Sequence, residues 1–252
     1  MKQICILFLI ISLVQQARAF DVGLPGAGET PAGPYALELV VEQFDREIHQ
    51  EIRGFDGTFF GDQTEDRIYA HFGYRFNSAW SLQLKTGMSD STSSEDPALL
   101  LGATTMWSNP FAHGARAHVY IGAQWVDGIT YKTPASNVGG VRLAAESRKE
   151  EHLEGTIGFL VSKDFTLNPT WGLTPYLGMQ LSVFRGKGEE SFFLSSAPDV
   201  ATQRESGLDF EEDGQLGSTL GLRVDAPADW YFRIEGRIID QQSVSAGFGR
   251  DF

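Results

Sequence analysis

The sequence holds a single cysteine, Cys5. It lies inside an N-terminal apolar run, so a chain trimmed of that run has no thiol, which excludes disulfides and thiol chemistry. Long apolar stretches are also missing. The run at residues 4–14 falls short of the roughly 18 residues that a membrane-spanning helix needs, and nothing later approaches it. Cationic charge is scarce: 20 Lys and Arg stand against 33 Asp and Glu, a net charge of −13. A surface of that sign repels phosphate backbones and excludes nucleic acid as a partner. There is no glycine-rich phosphate loop, no zinc-ligand spacing and no serine nucleophile elbow. Mean hydropathy is −0.18, which a window scan reads as soluble. Such a scan is blind to strands in which only alternate residues are apolar.

What is present begins with a leader. Met1-Lys2, the apolar run and Gln15-Gln16-Ala17-Arg18-Ala19 have the charged, apolar and small-x-small regions of a signal peptide, with cleavage expected after Ala19. Cys5 sits at the leader's start, out of place for lipoprotein acylation. Residues 20–34 carry Gly23, Gly26, Gly28, Gly33, Pro25, Pro31 and Pro34 without periodicity and read as a flexible segment before one domain at 35–252.

Period-two alternation fills that domain. Near the end, Trp230, Phe232, Ile234 and Ile238 share one face, with Arg233, Glu235 and Arg237 on the other. After a bend expected at Asp240-Gln241-Gln242, Val244, Ala246, Phe248 and the terminal Phe252 continue an apolar row. Strands look like this when their two faces meet different surroundings. The same grammar recurs upstream. Ile68, Ala70, Phe72, Tyr74 and Phe76 oppose Tyr69, His71, Gly73 and Arg75, and similar rows follow through Leu222 and Val224. In the first strand, Leu37, Leu39 and Val41 alternate with Glu38 and Glu42; a bulge near Glu42–Gln43 would then shift Phe44 and Ile48 onto the apolar face.

These rows predict an all-β protein: a single antiparallel up-and-down transmembrane β-barrel of ten strands, with eight as the alternative. Residues 51–62, 88–97, 127–149 and 185–214 are expected to be polar loops at one end, opposite short turns at the other. Trp80, Trp107, Trp230, Phe76 and Phe252 fall beside the short turns, where an interfacial aromatic girdle belongs. Closure follows from energetics, because an unpaired backbone group in hydrocarbon costs several kcal/mol.

The opposite faces of these strands carry the candidate site, a lumen charge network of Glu38, His71, Arg75, Lys85, His118, Glu154, Arg223, Arg233, Glu235 and Arg237. Ions in a narrow lumen must pair, because burying them singly is costly. A plugged, salt-bridged interior is therefore preferred to an open pore. His152 with Glu154 could act as a base or hold a metal, against the plain reading of a hydrogen-bonded lumen pair. His71, His118 and His152 are followed two residues on by Gly73, Tyr120 and Glu154, not by the serine of the His-x-Ser found in outer-membrane lipid A deacylases. The spacing of Asp66, Asp127, His49 and His152 likewise selects no omptin-type protease site. The acids at Glu189, Glu190, Asp199, Glu205, Asp209, Glu211, Glu212 and Asp213 lack the spacing of an EF-hand loop and read as a solvated loop.

A terminal aromatic preceded by alternate apolar residues (Val244, Ala246, Phe248, Phe252) resembles the C-terminal assembly signal of bacterial outer-membrane barrels. Arg250 departs from it, standing where that signal is aromatic or aliphatic. With the leader and strand grammar, the chain resembles the small outer-membrane β-barrel superfamily that includes OmpA-like and opacity-like barrels. The resemblance implies handling by the barrel-assembly machinery, contact with outer-membrane lipids and lipopolysaccharide, periplasmic termini and a monomer. It names no activity. The expectation is a non-enzymatic structural or surface-interaction barrel without a cofactor. A narrow solute channel, an outer-membrane hydrolase and a soluble secreted ligand-binding β-barrel remain as alternatives.

Overall fold

A computed structural model describes residues 34–252, apart from 53–57, 92–93, 132–135, 139–140, 198–199, 212–215 and 239–240. Ten strands form the wall: β1 Tyr35–Ile52, β2 Thr58–Arg75, β3 Trp80–Ser91, β4 Ala98–Pro110, β5 Ala115–Tyr131, β6 Val141–Lys163, β7 Trp171–Ala197, β8 Leu216–Asp225, β9 Trp230–Ile238 and β10 Gln241–Asp251. Each pairs antiparallel with its sequence neighbour, and β10 pairs with β1 from Ala36↔Asp251 to Arg46↔Gln241, so the ring has no free edge at that level. Backbone bonds between Tyr35 and Phe252, at 3.2 and 2.8 Å, seal the seam at the end where both lie.

Which way the rows face settles the kind of barrel. On the outside, Ile68 is 58% exposed, Leu177 60% and Phe248 54%, while the interior holds Arg233 at 1% and Glu154 at 0%. A soluble barrel would invert this, since an apolar surface all the way round is an aggregation hazard in water. In a bilayer the same rows are satisfied by acyl chains. The aromatic girdle forms on one rim. Trp80 faces Trp107 across β3 and β4, and Trp230 stacks on Phe248 at 4.8 Å and 9°.

Two expectations are corrected. The register of β1 runs unbroken against both neighbours, with no bulge at Glu42–Gln43. Parity therefore turns Phe44 inward, where it is fully buried under the Arg67 guanidinium, 3.9 Å from the ring centroid; the Ile48 side chain lies outside the described residues. The four expected loops are also largely strand. β1 and β2 continue to Ile52 and Thr58, β6 and β7 continue far past the apolar rows, and a further strand, Val200–Glu211, runs back along β7. Backbone pairing needs no apolar side chains, so the ladder persists where alternation stops. The Val200–Glu211 strand also pairs with the top of β1, His49↔Glu211 to Ile52↔Leu208, above the point where β8 begins. The bend before β10 is shorter than expected, since Gln241 and Gln242 already belong to the strand.

At the opposite end the connections are tight. In the 76–80 turn, Asn77 Oδ1 accepts from the amides of Ala79 and Trp80. His113-Gly114 and Ala228-Asp229 turn through left-handed backbone, with φ of 60, 74, 60 and 64°. A short strand, Phe165–Asn168, folds against the start of β7.

The lumen as candidate functional site

The lumen is lined by the residues whose parity opposes the apolar rows, and it brings most of the candidate charges together. Glu38 on β1 accepts two hydrogen bonds from Arg233 on β9, Nε and Nη2 both at 2.9 Å. The His71 ring nitrogen Nδ1 lies 3.3 Å from the same carboxylate. Arg233 Nη1 also donates to Glu235 at 3.2 Å, and Arg237 Nη2 donates to the other Glu235 oxygen at 3.4 Å. Tyr176 OH also donates to Glu235, at 2.7 Å. Five of the ten candidates thus form one connected chain across the seam.

The others fall into smaller groups. Lys85 Nζ donates to Gln124 at 3.0 Å and lies 4.1 Å from the Tyr69 ring centroid; Gln124 in turn donates to Glu154 at 3.4 Å. Arg223 bonds Asp225 and Asp251, each at 2.7 Å, with its guanidinium 3.6 Å over the Tyr231 ring. His118 stands apart, held between Ser108 and Ser162 at 2.8 Å each. Arg75 is half-buried at the mouth beside Pro34 and Tyr35, lining a small pocket with Glu38, His71, Gln83 and Tyr231.

Periodicity left out an upper cluster. Arg67 donates to Glu65 at 2.9 Å and approaches Glu42 at 3.7 Å; Ser89 donates to Glu65 at 2.5 Å. His152, one half of the possible base or metal pair, lies 3.7 Å from Glu65 and packs on Phe184 at 5.0 Å between centroids. No group of three metal-ligating side chains occurs among the described residues. The signal that would have found Glu65 and Arg67 is simple: the inward parity of Tyr69 and His71 extends two more positions. Outside the strands, Asp164 receives a hydrogen bond from Thr174 at 3.0 Å; burial pushes its carboxyl above the usual range.

The assembly-signal positions lie on the outer face of β10. Phe248 and Phe252 are exposed, Ala246 is half-buried, and Val244, at the same parity, is 6% exposed.

An apolar exterior around a charged, paired interior defines an integral membrane β-barrel. No protein-family model matches the sequence, and no curated protein sequence does. Several solved structures are similar to the chain over most of its length. The translocator domain of autotransporter NalP from Neisseria meningitidis is 12% identical, with 89% of this chain and 90% of that one covered and a TM-score of 0.42. Outer membrane protein OprG from Pseudomonas aeruginosa is 13% identical, at 90% and 99% coverage and a TM-score of 0.40. The Pseudomonas putida toluene transporter TodX is 8% identical, at 93% of each chain and a TM-score of 0.31.

Proposed function

We propose that this barrel is a filled, non-conducting scaffold that acts through what it displays outside the cell. The observation that carries this reading is the burial of four guanidinium side chains. Arg67, Arg223, Arg233 and Arg237 are each 1% exposed and ion-paired to carboxylates. Water in a continuous pore would contact them. In this reading residues 1–19 are a cleaved leader, the short turns and both termini face the periplasm, and the strands that overrun the apolar rows stand outside. The barrel is a monomer, inserted by the assembly machinery through its C-terminal strand and surrounded by outer-membrane lipids and lipopolysaccharide. It is not an enzyme. In support, each buried histidine among the described residues is engaged structurally: His71 on Glu38, His118 between two serines, His152 on Glu65.

Planar-bilayer recording on the purified, heat-modifiable protein tests it. The expected record is flat. Reproducible ohmic steps, lost when the lumen is blocked by bulkier side chains, would replace the scaffold with a narrow channel.

A further inference from the structure

Arg250 sits where a cation is unexpected, on the lipid-facing side of β10. Its row runs from Leu37 on β1 to Trp230 on β9, at the rim where Tyr35 and Phe252 meet. Its guanidinium lies 5.5 Å from the Trp230 ring centroid and 5.3 Å from that of Phe252, within range of a cation–π contact with each. Among the described residues it makes no ion pair, and its buried Nε has no hydrogen-bond partner. The adjacent carboxylate, Asp251, is unavailable by parity: it points into the lumen and is taken by Arg223. A second cation, Lys163, projects outward from the same rim at the end of β6, 5.1 Å from the Phe165 ring centroid. Two outward cations thus lie beside aromatic rings at this rim. A bilayer supplies a matching anion at the depth of its aromatic belt, the lipid phosphate.

We propose that Arg250, framed by Trp230 and Phe252, binds the phosphodiester of a glycerophospholipid in the inner leaflet. The aromatic frame holds the guanidinium at headgroup depth, and its nitrogens donate to the phosphate oxygens, a charge-assisted pairing that suits the planar fork. The leaflet assignment rests on the orientation proposed above; the phosphate contact does not.

Native mass spectrometry of the full barrel tests the contact, with phosphatidylglycerol and a galactosyl diacylglycerol of equal chains as probes. Wild type should retain one phosphatidylglycerol at collision energies that strip the galactolipid. Arg250→Gln, checked for unchanged heat-modifiable mobility, should lose about tenfold in retention, and Arg250→Lys should keep part of it. Equal retention by Arg250→Gln, or of the galactolipid, would overturn the site. Displacement by glycerol 3-phosphate alone would make it a soluble-phosphate site and overturn the lipid. Orientation is read separately, from a membrane-impermeant maleimide on Ala79→Cys in the short 76–80 turn. Labelling in intact cells would overturn the leaflet and leave the retention result standing.

Discussion

Breaking the Glu38–Arg233 pair is the sharpest perturbation of the barrel. The pair clasps β1 to β9 across β10, so it spans the closing seam. Removing one partner of a buried ion pair costs about 3–5 kcal/mol, because the other charge stays behind. The structure ranks the two halves. Without Glu38, Arg233 still meets Glu235 at 3.2 Å, so Glu38→Gln should fall near the lower figure. Without Arg233, Glu38 faces His71 at 3.3 Å and Glu235 loses one of its two guanidinium donors, so Arg233→Met should fall near the upper one. Combining them removes both charges, and the double variant should be less destabilised than the two singles summed, with a coupling of about 2 kcal/mol or more. The measurement is guanidinium unfolding of the barrel in vesicles, followed by fluorescence and gel mobility. Additive losses, within roughly 0.5 kcal/mol, would refute a direct clasp.

Two further outcomes follow from the wall and its turns. Ile121 lies on the outer face of β5, 57% exposed, whereas Leu167 is exposed in the short strand at the turn end. Ile121→Arg should cost about 2–4 kcal/mol and Leu167→Arg only about 0–1, a depth dependence that equal losses in the same unfolding assay would contradict. Ala228 holds a φ of 60°, so Ala228→Gly should raise stability by about 0.5–1 kcal/mol after allowing for the looser unfolded chain; a clear loss would show that the turn is not strained.

The strands were legible wherever lipid imposes a one-sided filter. Ile68, Phe72, Leu177 and Phe248 all face outward as their spacing predicts. Legibility stopped at the rim opposite the short turns. Beyond the apolar rows β6 and β7 continue without the strict alternation that would announce them. Phe44 misled for a related reason: an apolar residue at inward parity looked like a shifted register, when it is a ring beneath Arg67. The lumen was legible as a set of charges but not as partnerships. Glu38 and Arg233 stand 195 positions apart, and only the closure of β10 on β1 brings them together.

Four of the lumen contacts share a pattern: they join strands two apart, over a glycine on the strand between. Lys85 reaches Gln124 past Gly102, Tyr120 reaches Gln180 past Gly158, Tyr176 reaches Glu235 past Gly221, and Glu38 reaches Arg233 past Gly247. The intervening strands are β4, β6, β8 and β10, so long side chains of the odd strands fill the space their neighbours vacate. A graded series of alanine substitutions tests this. A Cβ at Gly221 or Gly158 would lie 2.0 or 2.3 Å from the Cζ of a tyrosine whose hydroxyl is already hydrogen-bonded; these rings have little room to yield, and each change should cost about 1–3 kcal/mol. At Gly247 the atom met, at 2.0 Å, is Glu38 Oε1, the mobile end of a side chain but one fixed by Arg233, so the loss should be smaller in an Arg233→Met background. Gly102→Ala meets backbone at 3.1 Å and should cost least of the four, while outward-facing Gly155, whose nearest atom is 4.0 Å away, should tolerate alanine. If Gly155→Ala proved as damaging as Gly221→Ala, glycine would be serving the strands' own conformation and the crossings would not be what fills the barrel.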